Sequence, residues 1–247
     1  MRTERVSLAP VYLLHQHAWR ETSRVLEIWS REHGRLGIVA RGVRRPRSPF
    51  RALLQPFTPL NLSWSHRGEL GNLTGAEAAA HAPVLQGRTL MAAFYLNELL
   101  LRLLARQDPH PQLYDAYAAT LVALARDNHT APPLRIFEKR LLTALGYGLS
   151  LDRQAGSQQP VKVDAEYRYD LDAGPVPAAR GQSNGLHISG RALLALHNEE
   201  LDDAEDLRAV RRLLRAALER HLDGRPLKTS GVMRAMSKEP KTARRSA

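Results

Sequence analysis

The chain has 247 residues, of which 43% are hydrophobic and 25% charged, with 36 Lys+Arg against 25 Asp+Glu and a formal charge of +11. That length supports a substantial core or two to three domains, and the composition is that of a globular protein rather than a disordered or fibrous one. Cysteine is absent, which excludes disulfides, thiolate zinc sites and cysteine nucleophiles. Residues 1–51 hold eleven arginines against four acids, a net +7, and residues 225–247 hold seven Lys+Arg against one acid, a net +6. Residues 52–224 sum to −2. Charge concentrated in this way attracts a polyanion, and nucleic acid is the common one.

The first 80 residues read as β. Val11-Tyr12-Leu13-Leu14 and Val25-Leu26-Glu27-Ile28-Trp29 are short apolar runs. Leu36, Ile38 and Ala40 alternate with Gly37, Val39 and Arg41, and Leu60 to Trp64 alternates again. A fifth strand is predicted near residues 70–74. Gly42, Pro46 and Pro49 break the pattern between the third and fourth strands. Five short strands at this spacing predict a small closed barrel.

Residues 84–147 read as helices over 88–106, 111–127 and 132–145. The first is apolar nearly all round, and Glu98, Arg102 and Arg106, spaced by four, form its charged seam. Residues 150–186 are rich in Gly and Pro, with one β-like run at 167–171, and predict a loop-rich insert with a hairpin. Helices resume over 189–197 and 203–222. Beyond Gly224 the chain is basic and poor in apolar residues, and is expected to fray. No segment predicts a membrane span, because the most apolar stretch, residues 90–104, carries Asn97, Glu98 and Arg102.

Few residues suggest catalysis. There is no G-x-x-x-x-G-K-[ST] run. His15 and His17 alternate on a strand but lack a nearby third ligand. The acidic run Glu199, Glu200, Asp202, Asp203, Glu205 and Asp206 raises a metal-dependent nuclease as an alternative. It also suits a helix N-terminus, with capping-box spacing between Asp202 and Glu205. The informative pattern is Arg35, Arg41, Arg44, Arg45, Arg47 and Arg51, joined by Arg20. Planar guanidinium forks suit phosphate oxygens, and an arginine loop beside a barrel face can follow a single-stranded backbone. Trp19, Trp29, Trp64, Phe50 and Phe57 are interleaved as candidates for base stacking or for the core.

These residues resemble the bacterial recombination mediator protein O (RecO) family. Trp19-Arg20-Glu21-Thr22-Ser23 resembles its W-x-E-T-S segment. Gly34-Arg35 with Val39-Ala40-Arg41-Gly42-Val43-Arg44 resembles its G-R…V-A-[KR]-G-x-R block. Leu54-Gln55-Pro56-Phe57-Thr58-Pro59-Leu60 resembles L-Q-P-F-T-P-L, and Leu96-Asn97-Glu98-Leu99 resembles [LI]-N-E-L. Leu134-Arg135-Ile136-Phe137-Glu138 with Leu145-Gly146-Tyr147-Gly148 resembles L-R-x-F-E…L-G-Y-G, and Pro226-Leu227-Lys228 resembles the start of P-L-K-S-R.

The resemblance implies an α+β multidomain protein. An N-terminal OB-fold β-barrel (1–82) would precede an all-α helical domain (83–149 and 187–224) with a loop-rich β-hairpin insert (150–186) and a basic C-terminal tail (225–247). It implies a cytoplasmic, nucleoid-associated, non-enzymatic mediator of the RecF pathway. This mediator would bind single-stranded and double-stranded DNA and anneal complementary strands without ATP. It would also engage the C-terminal tail of single-strand DNA-binding protein and recombination protein R, and so help to load RecA. Arg135, Phe137, Lys139 and Leu142 are the residues expected to receive that tail. A DNA-independent protein adaptor is the second alternative.

Two departures stand out. Arg153-Gln154-Ala155-Gly156 occupies a place where many relatives carry zinc-binding cysteines, so no metal or other cofactor is expected. Leu227-Lys228-Thr229-Ser230 replaces L-K-S-R.

Overall fold

The computed structural model describes residues 4–66, 68–126, 129–178, 185–222, 224–229 and 231. Five strands, β1 (Glu4–Trp19), β2 (Ser23–Ser30), β3 (Gly34–Ala40), β4 (Leu60–His66) and β5 (Leu70–Ala78), close a barrel in the order β1-β2-β3-β5-β4. It is consistent with the expected OB-like fold. Closure relies on β1, which runs for 16 residues and pairs with β2 through one half and β4 through the other. A short parallel pairing of residues 37–39 in β3 with 70–72 in β5 completes the circle. A four-residue helix, α1 (Phe50–Leu53), lies between β3 and β4.

The apolar run in β1 is continuous because both of its faces are covered. Val11 and Leu13 point into the barrel core with Leu26, Ile28, Ile38, Leu62 and Trp64, whereas Tyr12 and Leu14 belong to the helical core. Trp29 likewise faces outward, and it meets Tyr114 and Tyr117 edge-on with ring centroids 5.4 and 5.8 Å away. Trp29, Trp64 and Phe57 are therefore core residues.

The helical part comprises α2 (Gly87–Leu103), α3 (Pro111–Arg126), α4 (Ala131–Ala144), α5 (Gly190–Asn198) and α6 (Ala204–Glu219). The first helix stops three residues earlier than its pattern predicts. Arg106 therefore lies beyond the helix, in a connection that docks on the barrel. There Gln107 N–H donates to the Arg35 carbonyl at 3.1 Å, and Gly34, at φ +67°, passes so close to Asp108 that a Cβ would lie 2.5 Å from its backbone. Only glycine accommodates that approach.

Three further expectations need correction or addition. The insert contains the expected hairpin, β6 (Glu166–Asp170) with β7 (Gly174–Pro177), but a third strand, β8 (Leu186–Ser189), adds to the other side of β6 and leads directly into α5. The N-cap of α6 is Asp203, whose carboxylate accepts from the N–H groups of Glu205 and Asp206, not Asp202. Residues 225–229 are held rather than frayed. Arg102 donates to the carbonyls of Arg225 and Pro226, while Glu98 accepts from the N–H groups of Lys228 and Thr229 and from the Thr229 hydroxyl. Ser230 and the tail 232–247 lie outside the described residues.

Candidate nucleic-acid interface

The arginine loop is shaped by its backbone. After β3, Gly42 takes φ +67°, which turns the chain, and Arg45 N–H closes the turn on the Gly42 carbonyl at 3.1 Å. Val43, fully buried in the barrel core, pins the loop, so the basic residues on either side of it point outward. The neighbouring β1–β2 turn is stitched to it: Arg44 N–H donates to the Thr22 carbonyl at 2.9 Å and Arg44 Nη1 to the Arg20 carbonyl at 3.2 Å. Between the two turns lies an open groove of about 670 Å³, lined by Trp19, Arg20, Thr22, Val39, Arg41 and Arg45 together with one carboxylate, Glu21, and with Ser23 and Gly42.

Arg20, Arg41, Arg44, Arg45, Arg47 and Arg51 are all exposed. Among the described residues none of the six forms an ion pair, whereas Arg31, Arg140 and Arg191 each face a carboxylate. Trp19, at 42% exposure, is the aromatic ring on the groove. The arrangement offers guanidinium forks for phosphate oxygens and one ring for a base.

Arg35 does not join this cluster. It stands at the other end of β3, about 20 Å along the strand from Arg41. There it is largely buried, with Nη1 3.8 Å from Glu27 Oε2, and Arg106 contacts the same carboxylate. Burial lowers its pKa, Glu27 opposes that and the charge of Arg106 adds to it. Arg35 secures the packing of the barrel on the 104–110 connection.

The residues expected to receive a partner's tail make contacts within the helical part. Phe137 and Leu142 are closed inside the helical core. Arg135 is buried and pairs with Glu138, which also accepts from the Tyr95 hydroxyl at 2.6 Å. Burial pushes the Glu138 carboxyl above its ordinary pKa against the pull of Arg135 and Tyr95. Lys139 donates to the His197 carbonyl at 2.7 Å and pairs with Glu199, which ties α4 to α5. The apolar stripe of α4, with Leu134, Phe137, Leu141 and Leu142 buried, packs in the helical core.

The carboxylates behind the nuclease alternative are similarly engaged. Glu199 is held by Lys139 and Arg140, Asp203 caps α6, and Asp206 faces Arg191 at 3.2 Å. Among the described residues no group of three or more His, Asp or Glu is placed to hold a metal ion. In the insert, the loop around Gln154 is closed by hydrogen bonds, with the Gln154 side-chain amide donating to the Pro160 carbonyl at 3.1 Å and its backbone N–H donating to the Gln159 carbonyl at 2.8 Å.

Comparison with known proteins decides the family. The family descriptions "Recombination protein O N terminal" and "Recombination protein O C terminal" match residues 6–81 and 85–231. The chain belongs to the RecO family. It is similar to the DNA repair protein RecO of Nitrosococcus oceani, 47% identical over 93% of each chain. It is similar also to those of Methylococcus capsulatus (45%, over 94% of this chain and 95% of the relative) and Aromatoleum aromaticum (44%, over 94% and 97%).

The RecO motifs take on physical roles here. In L-N-E-L, Asn97 Nδ2 donates to the Leu14 carbonyl of β1 at 2.9 Å and its Oδ1 accepts from the Tyr117 hydroxyl, which joins barrel to helices. Glu98 of the same motif grips Lys228 and Thr229, so two motifs 130 residues apart meet. Sequence spacing could not show that meeting. Val43 anchors the loop, and the sequence signal of that role is an apolar residue set between Arg41 and Arg44. Among the described residues no helix is long and apolar enough to cross a membrane.

Proposed function

We propose that this RecO-family chain acts in DNA repair and recombination as a non-enzymatic mediator that binds single-stranded DNA through the barrel groove. The observation that carries this reading is the set of exposed guanidinium groups without carboxylate partners around the groove beside Trp19. Each phosphate bound there releases condensed counterions, a favourable term independent of sequence. Trp19 adds stacking that every base satisfies. Neutralising one strand reduces its repulsion of a complementary strand, which favours annealing without ATP. The family resemblance supports the wider role of helping RecA to load on DNA coated by single-strand DNA-binding protein, together with recombination protein R, and of binding double-stranded DNA.

The test replaces Arg41, Arg44, Arg45 and Arg47 together with Ala. Binding of labelled single-stranded oligonucleotides is expected to weaken almost equally for all sequences. The log–log salt slope should fall by about 3, from about 0.7 per phosphate contact. An unchanged slope would place the DNA surface elsewhere. Labelled DNA incubated with wild-type protein and Mg²⁺ or Mn²⁺ should remain uncut.

A further inference from the structure

Arg208, Arg211, Arg212 and Arg215 all lie on the exposed side of α6, while its apolar residues Ala209, Val210, Leu213, Leu214, Ala217 and Leu218 are buried. The arginines form two files, 208 with 212 and 211 with 215. Each has an i,i+4 spacing that rises about 6 Å along the helix. Among the described residues Arg208, Arg211 and Arg212 form no ion pair, and Arg215 meets only its helix neighbour Glu219. Glu138, Asp203 and Glu219 offset part of the charge of Arg211, Arg208 and Arg215, but guanidinium groups at i,i+4 spacing still repel one another modestly, and a polyanion on the stripe relieves that repulsion. No exposed apolar side chain of α6 interrupts the files, and the pocket of about 260 Å³ that Arg208 and Arg212 adjoin is lined chiefly by polar groups, among them Glu166, His187, Ser189 and Glu205, so it offers little apolar recess to read a peptide's side chains. Regularly spaced donor forks without apolar pockets fit the oxygens of a phosphodiester backbone.

We infer that the exposed face of α6 is a second nucleic-acid backbone site, which holds a second DNA strand while the barrel groove holds the first. This rests on the DNA-binding reading of the groove. The two surfaces are on separate parts of the molecule: α6 packs on α4, α5 and β8, whereas α2 and α3 meet the barrel. One molecule then presents two strands to each other, which a single groove does not do.

The experiment uses the full chain and two non-complementary single-stranded oligonucleotides, one immobilised and one fluorescent, so that only protein can bridge them. Wild type is expected to retain the fluorescent strand. The variant Arg208→Ala/Arg211→Ala/Arg212→Ala/Arg215→Ala should bind the first strand within about twofold of wild type yet lose bridging at least tenfold. Replacing the same four residues with Lys should restore most bridging, and a thermal melt of the Ala variant close to wild type separates this loss from misfolding. Undiminished bridging by the Ala variant, or equal losses of first-strand binding and bridging, would overturn the second site. Loss of binding to an acidic peptide with bridging intact would also overturn it, in favour of a protein partner. A wild-type protein that binds neither oligonucleotide would instead overturn the groove reading itself.

Discussion

Glu98 shows how one side chain can close a fold over a long sequence interval. Its carboxylate receives two backbone N–H groups and the Thr229 hydroxyl, while Arg102, 3.4 Å away, caps the carbonyls just upstream. Burial alone would raise its pKa, but the hydrogen bonds from Thr229 and Lys228 and the charge of Arg102 together hold it below the ordinary value. A depressed carboxylate contributes stability that is complete above its unfolded pKa and is lost as pH falls through the lower folded value. The 225–229 segment is therefore expected to release only in that acidic range. Glu98→Gln should release it at neutral pH: charge-assisted bonds contribute about 1.5–3 kcal/mol, so amide exchange at Lys228 and Thr229 should quicken at least tenfold. Thr229→Ser, which restores the serine of the family's L-K-S-R at this position, should leave it unchanged because the hydroxyl can still donate to Glu98. Unaltered exchange in Glu98→Gln would show that the segment is held by other contacts. The seam of Glu98 and Arg102 was legible in the four-residue spacing; what it grips was not, because periodicity reports a face and not its occupant.

At the scale of elements, short continuous apolar runs located β1 and β2, period-2 patterning located β3 and β4, and together with a fifth strand near 70–74 they predicted the barrel. They undercounted β1, because Glu4–Trp19 is interrupted by irregular pairing between Val6 and Ala9 and between Leu13 and His15. The second irregularity has a use. Leu14 has no cross-strand partner, so its carbonyl is free to accept from Asn97 of α2. Asn97→Ala is predicted to leave that carbonyl and the Tyr117 hydroxyl buried and unpaired, at about 1–3 kcal/mol each. A melting temperature lower by roughly 5–15 °C is expected from the scaling for a chain of this size, measured by calorimetry. The double change Asn97→Leu/Tyr117→Phe should recover part of the loss, because removing both partners removes the unsatisfied groups. A cost in Asn97→Ala below about 0.5 kcal/mol would mean that water replaces the amide. Helical periodicity is less specific on α4. Phe137 and Leu142 form an apolar stripe whether a peptide or other helices cover it, and here Tyr117 and the helical core do.

Over the whole molecule, net charge by segment identified the barrel's arginine loop but concealed α6. Residues 52–224 sum to −2 because the acids at 199–206 cancel the helix's arginines on paper. In three dimensions Glu199, Asp203 and Asp206 are spent on Lys139, Arg140, Arg191 and the α6 cap, and among the described residues Arg208, Arg211 and Arg212 form no ion pair while Arg215 pairs with Glu219. Two basic faces on one molecule make a prediction that a single groove does not. If the proposed annealing engages both faces, its rate should depend on salt more steeply than single-strand binding does, by about 3 in log–log slope for four α6 contacts at about 0.7 each. Annealing should also peak as protein is added and decline in excess. Once each strand carries its own protein on the groove and on α6, no face remains to accept the complement. Titrating protein against fixed complementary oligonucleotides at several salt concentrations measures both effects. Equal slopes, or a rate that rises to a plateau, would point to annealing by charge neutralisation at the barrel groove alone.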